Sequence, residues 1–229
     1  FAFRTIFMLL TDLPLTFLER PASDAVMRRW LLVLLHGVGG NERDAFALVD
    51  QVPDCFHVLC VRAPVATGPN AYRWFDFTMN ADGSRTIDQT QEREGRLQLA
   101  TLVEQAASQL AIDADSVVLG GINQGGIMSL SLLLTRPELV RAAMVMHSRL
   151  LPEVMPLIAP PEQLHGRQLW LSYTTSDEII PLHYAHQIRS EMEKLPVVSR
   201  YVEFPGNSGL GDAEIFEALE WLTTLASMG

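Results

Sequence analysis

The chain has 229 residues, 48% of them hydrophobic and 19% charged, a balance that excludes a disordered protein and allows a large core. Seventeen Lys and Arg against 27 Asp and Glu leave a net charge of −10, the wrong sign for a nucleic-acid or anionic-membrane binder. Two cysteines, Cys55 and Cys60, form no metal or redox spacing; one disulfide between them and two reduced thiols are both open, reduced thiols being the expectation.

From the start of the chain, Phe1 to Leu18 is apolar but interrupted by Arg4, Asp12 and Pro14, too broken for a membrane span. Glu19-Arg20-Pro21 stands where a signal peptide would need small residues. Met8 is the expected natural start, residues 1–14 being partly vector-derived or loosely ordered, and the expected location is cytoplasmic.

Leu31–Leu35 is an unbroken apolar run, the pattern of a central parallel strand buried on both faces. Similar short runs follow at His57–Val61, Ser116–Leu119, Ala142–Met146, Gln168–Ser172 and Arg200–Phe204. Between them, Glu92–Ile112 places Leu99, Val103, Ala106 and Leu110 on one helical face. Gln124–Thr135 reads as a helix stopped by Arg136-Pro137. Pro181–Lys194 and Asp212–Ser227 are two further helices, the first opened by its proline and the second capped by Asp212. Such alternation predicts a single α/β domain over residues 1–229, with a mostly parallel sheet and helices on both faces. Function in such sheets sits on the loops at the carboxyl ends of the strands.

Four such loops stand out. His36-Gly37-Val38-Gly39-Gly40-Asn41 can expose backbone amides to a ligand or can simply be a tight turn. Gly68-Pro69-Asn70-Ala71-Tyr72-Arg73-Trp74-Phe75 offers aromatics that either wall a pocket or pack over a sheet end. Gly121-Ile122-Asn123-Gln124-Gly125 has the form of the G-x-S-x-G nucleophile elbow, with asparagine in place of serine. Asparagine tolerates positive φ, so the turn is expected to survive. Asp177, in Thr174-Thr175-Ser176-Asp177, is a triad acid or an ordinary charge before a helix. Phe204-Pro205-Gly206-Asn207-Ser208-Gly209 follows the last strand, where a triad histidine would lie.

With these residues in view, the chain resembles the phospholipase/carboxylesterase family of α/β-hydrolases, which includes the acyl-protein thioesterases. The resemblance runs from Leu31 to Leu225 through the L-H-G-x-G-G turn at Leu35–Gly40, the G-P-x-x-Y-R-W-F loop at Gly68–Phe75 and G-x-x-Q-G-G at Gly121–Gly126. Arg136-Pro137-Glu138, Arg149–Glu153 and Asp177–Pro181 agree as well. It implies an α/β-hydrolase fold with Asn123 at the nucleophile position, Asp177 at the acid position and Asn207 at the base position. It also implies Val38 and Gln124 as the oxyanion-hole amides, and Trp74 and His147 near the substrate. The family's Leu-Ser-Gly reads Met146-His147-Ser148 here, and its His-Gly before the acid reads Tyr173-Thr174.

A carboxamide is a poor nucleophile, and no histidine follows His186 to serve as the base. The expected function is therefore an inactive hydrolase homologue binding a small acyl ester, thioester or carboxylate ligand or a protein partner. Asn207 is expected to donate to Asp177 and accept from Asn123 in a static chain. The alternative is an active esterase or thioesterase, either inactivated by introduced asparagines or relying on His147 with Ser148. Natural loss fits the further departures at His147, Tyr173 and Thr174 better than engineering does. A lyase or isomerase using His147 as base, and a homodimer, also stay open. Neither a metal nor an organic cofactor is expected, since no ligand cluster or dinucleotide fingerprint occurs.

Overall fold

The structure is a computed structural model that describes residues 11–46 and 49–228. The expectations for Phe1–Leu10, including Met8 as the start, lie outside the described residues. Four strands open the chain: β1 (Phe17–Arg20), β2 (Trp30–Leu35), β3 (Phe56–Val61) and β4 (Val65–Gly68), with a short helix α1 (Glu42–Phe46) after β2. Two small hairpins follow, β4 with β5 (Ala71–Arg73) and β6 (Phe77–Met79) with β7 (Arg85–Ile87). Next come α2 (Gln89–Leu110), β8 (Val117–Ile122), α3 (Gln124–Thr135) and β9 (Ala142–Met146). The chain ends with α4 (Pro161–Leu164), β10 (Gln168–Thr174), α5 (His183–Met192), β11 (Val198–Phe204) and α6 (Asp212–Ser227).

Seven strands form one sheet in the order β1-β3-β2-β8-β9-β10-β11, parallel throughout except for β1, which pairs antiparallel with β3. Because side chains alternate across a strand, β2 splits its six buried residues between two cores. Leu31, Val33 and Leu35 join Leu99, Val103, Ile127 and Ile188 from α2, α3 and α5 on one face. Trp30, Leu32 and Leu34 join Ala218, Trp221 and Leu222 of α6 on the other. Helices therefore cover both faces, as the alternation predicts, and this is the α/β-hydrolase architecture.

The six apolar runs all become strands of this sheet, each within a few residues of the expected bounds. β1 is the addition: Phe17 and Leu18 lie in the segment read as broken apolar sequence, and they pair with Val61 and Cys60. Leu13 and Leu15 are buried against the same core. Asp212 is not the cap expected of it, because Gly211 takes that position with extended backbone and Asp212 becomes the first helical residue. Cys55 and Cys60 are both free, with Cys60 buried in β3, where burial pushes its thiol up to about 12.

Candidate active site

The elbow between β8 and α3 has the geometry its sequence demands. Asn123 stands at φ 54° and ψ −118°, a positive-φ conformation outside the left-handed helical well and therefore strained. A Cβ on Gly121 would fall 2.3 Å from the Gly125 carbonyl carbon, and one on Gly125 would fall 2.2 Å from the Leu35 carbonyl oxygen. Both glycines are therefore required by the close passage of three backbone segments. Asn123 N–H donates to the Met146 carbonyl (3.1 Å), and the Ser148 hydroxyl donates to the Asn123 carbonyl (2.8 Å).

The carboxamide of Asn123 turns inward on its own backbone. Its oxygen accepts from Gln124 N–H at 2.8 Å, the amide expected to serve the oxyanion hole. The Gln124 side chain is buried and clamps the aromatic loop, accepting from Trp74 N–H (2.9 Å) and donating to the Phe75 carbonyl (2.8 Å). Trp74 takes the packing alternative: it is fully buried, its indole donates to the His36 carbonyl, and Phe75 and Phe77 line the cleft instead. His36 is also a scaffold residue. Its Nε2 accepts from Ala63 N–H (3.0 Å), so Nδ1 carries the proton donated to the Gly37 carbonyl (2.7 Å), and burial pushes its pKa down.

The acid side of the site is arranged differently from expectation. Asp177 is buried, and its Oδ1 accepts from Ile179 N–H (2.8 Å) and Ile180 N–H (2.9 Å). Its Oδ2 meets His147 Nδ1 at 2.9 Å. His147 Nε2 meets both oxygens of Glu214 at 3.1 and 3.0 Å, and Ser172 donates to Glu214 from β10. Asn207 is not part of this chain: it is exposed, and only its backbone carbonyl is engaged, accepting from the Thr174 hydroxyl at 2.6 Å. The expected static chain Asn123–Asn207–Asp177 is thus replaced by Asp177–His147–Glu214. The physical reason is strength, since an imidazolium between two carboxylates outcompetes a neutral amide for the same oxygens.

A neutral imidazole has one N–H, so donating to two ionised carboxylates takes the charged ring. Burial opposes that charge, but the hydrogen bonds to Glu214 and Asp177 outweigh it and raise the His147 pKa above its ordinary value. With both nitrogens donating, His147 has no lone pair to take a proton. It also stands at φ 43°, held there by its N–H to the Ser172 carbonyl (2.9 Å). Ser148, the partner considered for it, is bonded to the Asn123 carbonyl instead.

These groups border a cleft of about 520 Å³ whose walls include Val38, Phe75, Phe77, Ile127 and Ile179 and whose floor includes Asn123, Gln124, His147 and Asp177. Val38 lies at its edge, 43% exposed. Glu214, Arg149 and Arg85 were not among the expected site residues. Glu214 carries no sequence signal beyond that of any acid in a first helical turn, and its partner is 67 residues away. Arg149 was visible as part of a motif, but nothing in the sequence says that its charge faces the cleft. Among the described residues no group of three or more His, Cys, Asp or Glu side chains is suited to a metal, and no helix is long and apolar enough to cross a membrane.

A family profile described as phospholipase/carboxylesterase matches residues 22–209. Among solved structures, a carboxylesterase from Mesorhizobium loti is similar with a TM-score of 0.81 at 19% identity, over 95% of this chain and 98% of that one. The Bacillus cereus carboxylesterase gives 0.77 at 22% identity, over 97% and 96%. YahD, solved with malic acid, gives 0.77 at 19% identity, over 91% and 98%. No curated protein matches the chain.

Proposed function

Given that the chain belongs to the phospholipase/carboxylesterase family, we propose that it is a non-hydrolytic member whose cleft binds a small acyl or carboxylate ligand. The observation that carries this reading is the saturation of Asp177. Its oxygens are committed to two backbone amides and to His147, and the far nitrogen of His147 is itself spent on Glu214, so the acid orients no ring that is free to take a proton from a nucleophile. Asn123 at the nucleophile position supplies no attacking group and closes the Gln124 amide with its own oxygen.

The departures from the family pattern interlock. Ser148 bonds Asn123, Tyr173 donates to the Ser148 carbonyl at 2.6 Å, Thr174 holds the loop of Asn207, and His147 holds Asp177. A pair of introduced asparagines would leave their neighbours unchanged, whereas a mutually bonded set of replacements supports natural loss. The same bonding speaks against an esterase, lyase or isomerase working through His147.

The test is hydrolysis of p-nitrophenyl butyrate by the wild-type protein, by Asn123→Ser/Asn207→His, and by the same double variant with His147→Ser added. We expect no turnover above the no-enzyme rate from the first two. Recovery is expected only where Asp177 is also released from His147. Hydrolysis by the wild-type protein overturns the reading.

A further inference from the structure

Four ionisable side chains line the cleft: Arg85, His147, Arg149 and Asp177. His147 carries a positive charge, so three positive groups face one negative one, and Glu214 behind His147 makes the balance three to two. A chain with a net charge of −10 has thus gathered its cleft charge with the opposite sign.

Arg149 is the unusual member. It follows β9 in the loop that carries His147 and Ser148, and it is only 7% exposed. Its Nε is sealed from solvent with no hydrogen-bond partner, and it forms no ion pair among the described residues. Glu153 acts on it from beyond ion-pair distance and does not line the cleft. A guanidinium cannot escape this situation by losing its proton, and a buried charge without a counter-ion is costly. Arg85 adds a second charge from β7, held by its bond to the Ile179 carbonyl (2.8 Å) and by the Phe77 ring 5.5 Å from its guanidinium carbon. Burial, and then Arg85, lower the Arg149 pKa from its ordinary value.

We propose that Arg149, seconded by Arg85, receives the carboxylate of a small organic acid whose apolar body lies along Phe75, Phe77 and Ile127. A planar guanidinium matches a carboxylate in two parallel hydrogen bonds, and the aromatic and aliphatic walls suit a hydrocarbon body. The proposal rests on the reading of the cleft as a binding site and narrows its ligand to the free acid over the neutral ester or amide.

Isothermal titration of the full chain with hexanoate and with hexanamide tests it, alongside Arg149→Lys, Arg149→Gln and Arg85→Gln. Hexanoate should bind more tightly than hexanamide, and Arg149→Gln should weaken hexanoate about 10- to 100-fold while leaving hexanamide unchanged. Arg149→Lys should retain part of the binding, and Arg85→Gln should lose less than Arg149→Gln. Arg85 is the control for folding: should Arg149→Gln prove unfolded by circular dichroism, an unchanged hexanoate affinity in Arg85→Gln overturns the site. Equal affinity for acid and amide also overturns it, as does inorganic phosphate binding as tightly as hexanoate. Failure of both organic probes to bind sinks the binding reading itself, while ester turnover by the wild-type protein removes the proposed function and leaves the Arg149 comparison standing.

Discussion

The two sides of the cleft have fared differently. On the elbow side, β8, Asn123 and α3 keep a strained turn around a residue that has no reactive group to present. On the acid side, Asp177 stays in place but serves a buried ionic cluster with His147 and Glu214. The elbow is held by backbone packing, where a single methyl group on Gly121 or Gly125 would strike main-chain atoms. Side-chain partnerships are easier to exchange, because one new residue can satisfy a carboxylate that another has abandoned.

The largest effect should come from breaking the elbow. Gly125→Ala puts its Cβ 2.2 Å from a backbone oxygen, so we expect a loss of about 4 kcal/mol or more, read by urea denaturation. A loss below about 1 kcal/mol would mean that the three backbone segments can separate cheaply. Next is His147→Gln, which leaves two buried carboxylates without their cation and should cost about 3–5 kcal/mol near neutral pH.

The same cluster predicts a pH dependence. The folded-state pKa of His147 is raised, so its contribution is complete below the unfolded histidine value and is lost as pH rises through the folded one. The groups facing the ring are Asp177, Glu214 and the Tyr173 ring, whose centroid is 6.3 Å away and whose hydroxyl pKa is itself pushed up by burial. Melting temperature should therefore fall for the wild-type protein on the alkaline side of that window, and this decline should vanish in His147→Gln. Identical slopes would remove the imidazolium from the account. The smallest effect is expected from Tyr173→Phe, which leaves the Ser148 carbonyl without its donor and should cost about 1 kcal/mol, measured in the same denaturation series.

Much of this protein was legible in the order of its residues. Apolar runs place the central strands β2, β3, β8, β9 and β10, because a strand buried on both faces has no other composition available to it. The elbow was legible for the same local reason: Gly121 and Gly125 flank a residue that tolerates positive φ, and all the contacts that demand them arise within one turn and the strand beside it. Trp74 shows the limit of such reading, since an aromatic beside a sheet end fits a pocket wall and a core equally well until its neighbours are known. The partner of Asp177 was beyond reach for a stronger reason. His147 lies 30 residues before it and Glu214 lies 67 residues after His147, and only the return of α6 across the sheet brings the three together. Local sequence determined the strands, the turn and the asparagine at its tip. Tertiary structure alone decided which charges meet, because electrostatic partners are chosen by distance in space and by burial, and neither is written in the spacing of residues along a chain.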